Sequence, residues 1–260
     1  MTHLLPHITR ILARRPAPNF ADGITTSHHL GKPDYALALQ QHQTYLQALS
    51  DSGLAVQVLP ADERFPDGHF VEDPVVIFHD MAFLCRSGAP ARQHEAETLI
   101  PHLASLRLVR AAPEARIDGG DVLICADRVL VGLSERTNAA GVASLRQALH
   151  SVQPDIRVDA VPFSGVLHLK TGLTELVGGV LLRDPALVTD YDLSWAEVIT
   201  LPPEEGYAAD LMPINDTLFI AEGFPQALAI ARRYYERIVP LPLSEFRKMD
   251  GGLTCLSLRY

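Results

Sequence analysis

The sequence has no stretch of 18 or more apolar residues, so it offers no segment able to span a membrane. Cysteine is scarce: there are three, Cys85, Cys125 and Cys255. An odd count does not close into a disulfide framework, and unpaired thiols suit a reducing cytoplasm, where the protein is expected. Basic charge is short as well. The 22 Lys and Arg against 31 Asp and Glu leave a net charge of −9, and no Lys/Arg run forms a basic face. Nucleic acid is therefore excluded as a partner, whereas a small cationic substrate suits an acidic chain. Several site signatures are missing: H-E-x-x-H, C-x-x-C, G-x-G-x-x-G, the P-loop pattern and G-x-S-x-G. Their absence removes the usual marks of a zinc centre, a dinucleotide or nucleoside triphosphate site, and a serine hydrolase. The N-terminal stretch MTHLLPHITRILARRPAP has basic residues but no continuous apolar core and no small-residue cleavage site. It reads as a first strand over 8–13 rather than a signal peptide.

What is present is the composition of an ordinary globular chain. With 260 residues, 47% hydrophobic and 20% charged, disorder is a poor reading and a sizeable core is affordable. Helical periodicity starts after Pro33 and Asp34, with Tyr35, Leu39, Leu46 and Leu49 on one face, and Gly53 stops it. Further helices are expected over 92–105, 137–152 and 225–235, with a weaker one over 189–196. Between them lie runs rich in Val, Ile, Leu and Phe. HDMA, CADR, VGGV and INDT each read as the tight turn of a hairpin.

The phrases that open these runs recur. VEDPVVI begins at Val71, IDGGDVL at Ile117, LHLKTGL at Leu167, YAADLMP at Tyr207 and GGLTCLS at Gly251, so the spacing is about 40–50 residues. Each unit is a hairpin, a helix and a single strand. The last unit stops after one strand, and the N-terminal strand, helix and AVQVLP strand can complete it. That predicts one α/β domain over 1–260, a five-fold pseudosymmetric ring that removes exposed sheet edges. An open doubly wound sheet is the other architecture. In a ring, equivalent strand starts point to one centre, and Asp67, Glu72, Asp73, Asp118, His168 and Cys255 are the residues so placed.

Each of these residues has a plain reading too. A cysteine in an apolar strand is often a buried small hydrophobe, and Cys85 and Cys125 fit that. Cys255 is preceded by Asp250, Gly251, Gly252 and Thr254, and glycines there admit a close approach to the backbone. His168 in VLHLK is either a core histidine or an acid/base. Asp118 and Asp121 in IDGGDV read as turn acids of the ordinary kind, although Asp118 is also one of the residues at a strand start. Glu72 and Asp73 precede a strongly apolar strand, where two adjacent carboxylates call for a cation, and a guanidinium is the natural one. Arg92 and Arg136 are either solvated residues at helix starts or holders of a substrate carboxylate. Cysteine, histidine and a carboxylate remain as the complete catalytic set.

The phrases DGITTSHHLGKPDYA, LPADERFPDGHFVEDP, IDGGDVL, SERTNAAG, LHLKTG and DGGLTCLS run in order over nearly the whole chain. Together they resemble the dimethylarginine dimethylaminohydrolases of the amidinotransferase and arginine deiminase superfamily. The resemblance implies a pentein-type α/β propeller of five strand–helix units, which agrees with the repeat. It also implies roles: Cys255 as nucleophile, His168 as general acid/base, and Asp118 as the acid that orients the histidine, a place where members carry Glu or Asp. Glu72 and Asp73 match the guanidinium grip, Asp67 with the carbonyl of Ile24 the binder of the α-amino group, and Arg92 and Arg136 the α-carboxylate clamp. Residues 24–32 match a mobile lid. The chain departs from the family pattern in two places. It has Ala-Ala-Asp-Leu at 208–211 where relatives have Ala-Ala-Asn-Cys, and Ser-His-His-Leu in the lid where relatives have a single histidine.

The activity implied is hydrolysis of N-ω-methylated L-arginine to citrulline through a thiouronium on Cys255, with no metal and no organic cofactor. A homodimer is one assembly compatible with it. Two other readings stay open at this point: an arginine deiminase releasing ammonia, and a non-catalytic guanidino amino-acid binder.

Overall fold

Alternation of β-branched and aliphatic runs with turn residues produces fifteen strands among the described residues, which are 7–260 of the computed structural model. In chain order, β1 (Arg10–Arg14), α1 (Tyr35–Asp51) and β2 (Ala55–Leu59) come first. Next are β3 (Val75–Phe78), β4 (Met81–Leu84), β5 (Arg107–Arg110), β6 (Val122–Ile124), β7 (Arg128–Leu133), α2 (Ala139–His150) and β8 (Arg157–Pro162). Then follow α3 (Leu169–Gly172), β9 (Leu173–Val177), β10 (Val180–Arg183), β11 (Glu197–Thr200), β12 (Met212–Ile214) and β13 (Thr217–Ala221). The chain closes with α4 (Pro225–Ala231), β14 (Arg237–Leu241), α5 (Ser244–Arg247) and β15 (Ser257–Arg259). No helix of the described residues is long and apolar enough to cross a membrane.

The strands form five three-stranded sheets of one pattern: an antiparallel pair with a third strand added in parallel. Two compact units divide them. Asp73–Ala209 holds the sheets β3-β4-β5, β6-β7-β8 and β9-β10-β11. His7–Glu72 with Asp210–Tyr260 holds β12-β13-β14 and β15-β1-β2.

The four predicted hairpins all form. Three of the turns use left-handed backbone, at His79 (φ 54), Gly179 (φ 83) and Asn215 (φ 55), a conformation that short hairpin connections favour; the turn of CADR has none. In the first unit the middle sheet is buried on both faces. Val122, Val129 and Val131 enter one apolar cluster with Phe78, Phe83 and Leu145, while Leu123 and Leu130 enter another with Leu169 and Leu181. Period-two alternation sends neighbouring residues to opposite faces, so an unbroken apolar run serves two cores.

In the second unit both chain ends meet in one sheet. The strand β15 pairs antiparallel with β1, with Leu12 opposite Leu258, and β1 pairs in parallel with β2. The incomplete last repeat is thus completed from the N-terminal side, as expected, although β1 covers Arg10–Arg14 rather than 8–13. Helix α1 begins where Asp34 accepts the Leu37 amide, and Gly53 (φ 84) follows its end.

Two expected helices do not form. Residues 92–105 contain only short 3₁₀ turns at Pro90–Arg92, Ala96–Thr98 and Ile100–His102. Pro101 cannot donate to an i−4 carbonyl, and the Arg92 side chain also reaches outside the stretch, to Asp73. Residues 189–196 form turns, closed by the Thr189 and Asp192 side chains on the amides of Tyr191 and Ser194. The helices at 137–152 and 225–235 do form, shorter than expected, as α2 and α4.

Candidate active site

The Asp73–Ala209 unit gathers His168, Asp73, Asp118, Asp121 and Arg92, all buried. Each is delivered by a sharp change of backbone direction. His168 is the residue before α3, and Thr171 holds its backbone on both sides, donating to its carbonyl (2.6 Å) and accepting its amide (3.3 Å). Asp118 starts the short turn Gly119–Asp121, and Asp73 sits two residues before β3. The carbonyl of Asp73 accepts the Gly119 amide (2.8 Å) and its Oδ1 the Gly120 amide (3.1 Å). Gly120 is required here, since a β-carbon would stand 2.5 Å from His168 Nδ1.

The imidazole lies between two carboxylates. Its Nε2 is 3.4 Å from Asp118 Oδ2, and its Nδ1 is 3.8 Å from Asp73 Oδ1. Burial disfavours the imidazolium, but Asp73, Asp118 and Asp121 outweigh it and raise the pKa to about 9. Burial likewise opposes the charge on Asp73, yet His168 and Arg92 hold that carboxyl below its ordinary value. Asp118 is fully buried, and its Oδ1 has no hydrogen-bond partner among the described residues.

Arg92 is shared between two acids. Its Nη1 meets Asp73 (2.6 Å), and its Nε and Nη2 fork onto Glu95 (2.7 Å at the shorter end). Glu95 was not singled out from the sequence, though the i,i+3 spacing Arg92-x-x-Glu95 is a signal that finds it. Arg136 is half-buried and makes no ion pair among the described residues. Cys85 is buried, and burial first, then Asp118 and Asp73, push its thiol well above the ordinary value.

The unit of His7–Glu72 and Asp210–Tyr260 gathers Cys255, Glu72, Asp67 and the Ile24 loop. Cys255 lies in the 3₁₀ turn Thr254–Leu256 just before β15, and its carbonyl accepts the Glu72 amide (3.3 Å). The segment is braced from several sides. The Tyr45 hydroxyl, fully buried, bonds the Leu253 carbonyl (3.1 Å) and the Ser257 hydroxyl (2.7 Å). Arg259 donates to the carbonyls of Thr254 and Ser257, both at 2.8 Å, and its Nη2 forms a short ion pair with Glu72. The two glycines serve the close approach expected of them. A β-carbon at Gly252 would collide with the Asp210 carboxylate, and one at Gly251 with the Phe70 ring. Asp210 belongs to the stretch that departs from the family pattern, and it faces Arg259 and Tyr45.

Asp67, buried, accepts the Ile24 amide on both oxygens (3.1 and 3.2 Å). This bond uses the Ile24 amide and leaves aside its carbonyl, the group expected to act with Asp67 on an α-amino group. The loop of 24–32 is tied down by Asp250, which accepts from the Thr26 amide and hydroxyl and from the Ser27 hydroxyl. Asp250 adopts a left-handed backbone (φ 57) five residues before Cys255.

The carboxylates Glu72 and Asp73 do have cationic partners, as their burial requires, but internal ones: Arg259 and Arg92. Their spacing revealed the need for a cation and not which cation. Arg259 and Tyr45 went unremarked in the sequence, and Asp210 was noted only as part of the departure at 208–211. An arginine inside the apolar strand LSLRY is the one local sign. Among the described residues no group of three or more His, Cys, Asp or Glu side chains is arranged to hold a metal.

Chemically, the first cluster offers a protonated imidazole held between carboxylates. The second offers a thiol at the start of a strand, next in the chain to a segment fixed by Tyr45 and Arg259.

Comparison with known proteins defines the class first. A family model described as arginine deiminase matches residues 100–193. The N(G),N(G)-dimethylarginine dimethylaminohydrolase of Pseudomonas aeruginosa is 37% identical over 253 residues, covering 96% of this chain and 98% of that one. The chain belongs to the dimethylarginine dimethylaminohydrolase family. A Pseudomonas aeruginosa structure of that enzyme, a cysteine-to-serine mutant complexed with citrulline, superposes with a TM-score of 0.93 at 36% identity, covering 98% of this chain and all of that one. A histidine-to-glycine form in an adduct with S-methyl-L-thiocitrulline gives a TM-score of 0.91 at 37% identity, covering 97% of this chain and all of that one.

Proposed function

We propose that this protein hydrolyses N-ω-methylated L-arginines to L-citrulline and methylamine or dimethylamine. The observation that carries the reading is His168 held between Asp118 and Asp73, in a family whose members bear the dimethylaminohydrolase name. Cys255 is the nucleophile: as thiolate it adds to the guanidinium carbon, since the neutral thiol is a weak nucleophile. Elevated to a pKa of about 9, His168 carries a proton at neutral pH and gives it to the departing amine. A thiouronium remains on Cys255. His168, now neutral, takes a proton from water, the hydroxide displaces sulfur, and citrulline leaves. Asp118 orients the imidazole. Glu72 and Asp73 hold the guanidinium; their internal partners Arg259 and Arg92 keep them ionised and aimed. Asp67 with the Ile24 backbone takes the α-amino group, and Arg92 with Arg136 the α-carboxylate. The citrulline complex and the thiocitrulline adduct of relatives altered at one cysteine and one histidine support this division of labour.

The same reading takes residues 1–260 as one catalytic domain, a five-fold pseudosymmetric α/β propeller of the pentein type. Its support is the single pattern shared by all five sheets and the completion of the last by both chain ends. The protein acts in the cytoplasm, and a homodimer is one assembly compatible with this reading.

Arginine and its methylated forms share one amino-acid end, so the discrimination lies at the guanidinium. Asymmetric dimethylation removes two of five N–H donors, and an apolar leaving-group wall would strand those donors of arginine at about 1–3 kcal/mol each. The test is citrulline and amine release from asymmetric dimethylarginine, monomethylarginine and L-arginine under one set of conditions. Methylated substrates should have the higher kcat/KM, and Cys255→Ser should lower turnover by at least about a thousandfold while substrate still binds. Preference for L-arginine, with ammonia released, would replace this reading by a deiminase, the activity for which the matching family model is named.

A further inference from the structure

Asp121 is given no contact with the substrate in the chemistry above, yet it is fully buried beside His168. Its Oδ1 accepts the amide of Leu169, the residue that follows His168 (3.0 Å). Its Oδ2 accepts the Ser134 hydroxyl (2.6 Å). That hydroxyl in turn accepts the amides of Arg136 (3.0 Å) and Thr137 (3.1 Å). Thr137 Oγ1 accepts the amide of Asp118 (3.2 Å). One continuous chain of hydrogen bonds thus joins the segments that carry His168, Arg136 and Asp118. Gly132 on β7 leaves it room, since a β-carbon there would stand 3.0 Å from both Asp121 Oδ1 and Leu169 Cβ. A turn acid needs none of this. An acid that only closed its own turn would bond the amides next to it and stay wet.

We propose that Asp121, acting with Ser134, is a positioning residue that sets the His168 ring against Asp118 and fixes the turn that presents Arg136. The inference rests on the dimethylaminohydrolase reading for its kinetic consequences, though not for its structural one. Charge enters as well as geometry. The groups facing His168 are Asp73, Asp118 and Asp121; Arg92 and Lys170 act on Asp73, and the Cys85 thiol lies near Asp73 and Asp118. Asp121 adds to the field that retains the imidazole proton. Asp121→Asn therefore removes the charge together with the Ser134 bond, whereas Ser134→Ala removes the bond and leaves the charge.

The experiment is a pair of substitutions read by two methods. Asp121→Asn keeps the shape and one acceptor but loses the charge. Its His168 ring, followed by NMR of histidine-labelled protein, should titrate at least about half a pH unit below wild type. Its kcat on dimethylarginine should fall about tenfold or more, with the alkaline limb of the pH profile moved the same way and KM changed far less. Ser134→Ala leaves the charge and breaks the link to Arg136. It should raise KM about fivefold or more with His168 titrating as in wild type. A merely structural role would lower Tm and leave the titration and the split between kcat and KM untouched, and that result overturns the proposal. Should Asp121→Asn fail to fold, Ser134→Ala decides, and unchanged KM there also overturns it. If the wild type makes no citrulline, the functional reading fails and the NMR titration of Asp121→Asn still judges the hub.

Discussion

An imidazole faced by three carboxyl groups keeps its proton well into alkaline solution, and this has a consequence for stability. His168 has a folded pKa of about 9 against an ordinary value of 6.5. Burial lowers it, and Asp73, Asp118 and Asp121 more than restore it. The folded state therefore binds the proton more tightly than the unfolded chain. The stabilisation is fully present below about pH 6.5 and is lost as pH rises through about 9. Urea midpoints of wild type and His168→Gln, taken from pH 6 to 10, should converge across that window; parallel curves would contradict the electrostatic account. The thiols make a second residue-scale test. Cys85 and Cys255 are equally exposed, at 5% each, so access alone does not separate them. Burial, then Asp118 and Asp73, suppresses the Cys85 thiolate, and burial with Glu175 and Asp127 does the same at Cys125. Iodoacetamide on native protein should modify Cys255 and spare the other two, as peptide mapping would show. Labelling of Cys85 at the rate of Cys255 would count against Cys255 as the nucleophile.

At the scale of elements, the segment from Gly251 to β15 is braced from several sides. Tyr45 from α1 bonds both sides of the turn that holds Cys255, and Arg259 ties the same turn to Glu72. Tyr45→Phe would leave the Ser257 hydroxyl and the Leu253 carbonyl short of a buried partner, at a cost of roughly 1–3 kcal/mol in denaturant unfolding. Gly252→Ala drives a methyl into the Asp210 carboxylate. It should cost more stability than Tyr45→Phe and lower citrulline production beyond the loss of folded protein. Equal stability in Gly252→Ala and wild type would refute the packing argument. How legible these elements were depends on how local their causes are. Helix α1 is written in Asp34, the apolar face and Gly53, all within one stretch. The expected helix of 92–105 is interrupted at Pro101, and Arg92 finds a partner, Asp73, outside that stretch.

At the scale of the molecule, one sheet is built from both chain ends, and the other strands of the chain lie between them in sequence. Leu258 on β15 is buried opposite the buried Leu12 on β1. Leu258→Ala should cost about 2–5 kcal/mol, read as a lowered urea midpoint, although it lies two residues from the C-terminus. A terminal strand of no consequence would show no shift. The chain's own order of residues determined the features whose physics is local. These are the four hairpins, three of them with a turn residue in left-handed backbone, α1 with its cap, the repeat that predicts completion of the last sheet by the first strand, and the ordered phrases that mark the family. Only the tertiary structure decided who partners whom. Glu72 meets Arg259 across 187 positions, and Asp121 reaches Ser134 and the residue after His168. Spacing along the chain shows that a buried carboxylate needs a donor. Which donor it receives depends on the path of the folded backbone, because charge and hydrogen-bond energies fall off over a few ångströms in space whatever the separation in sequence.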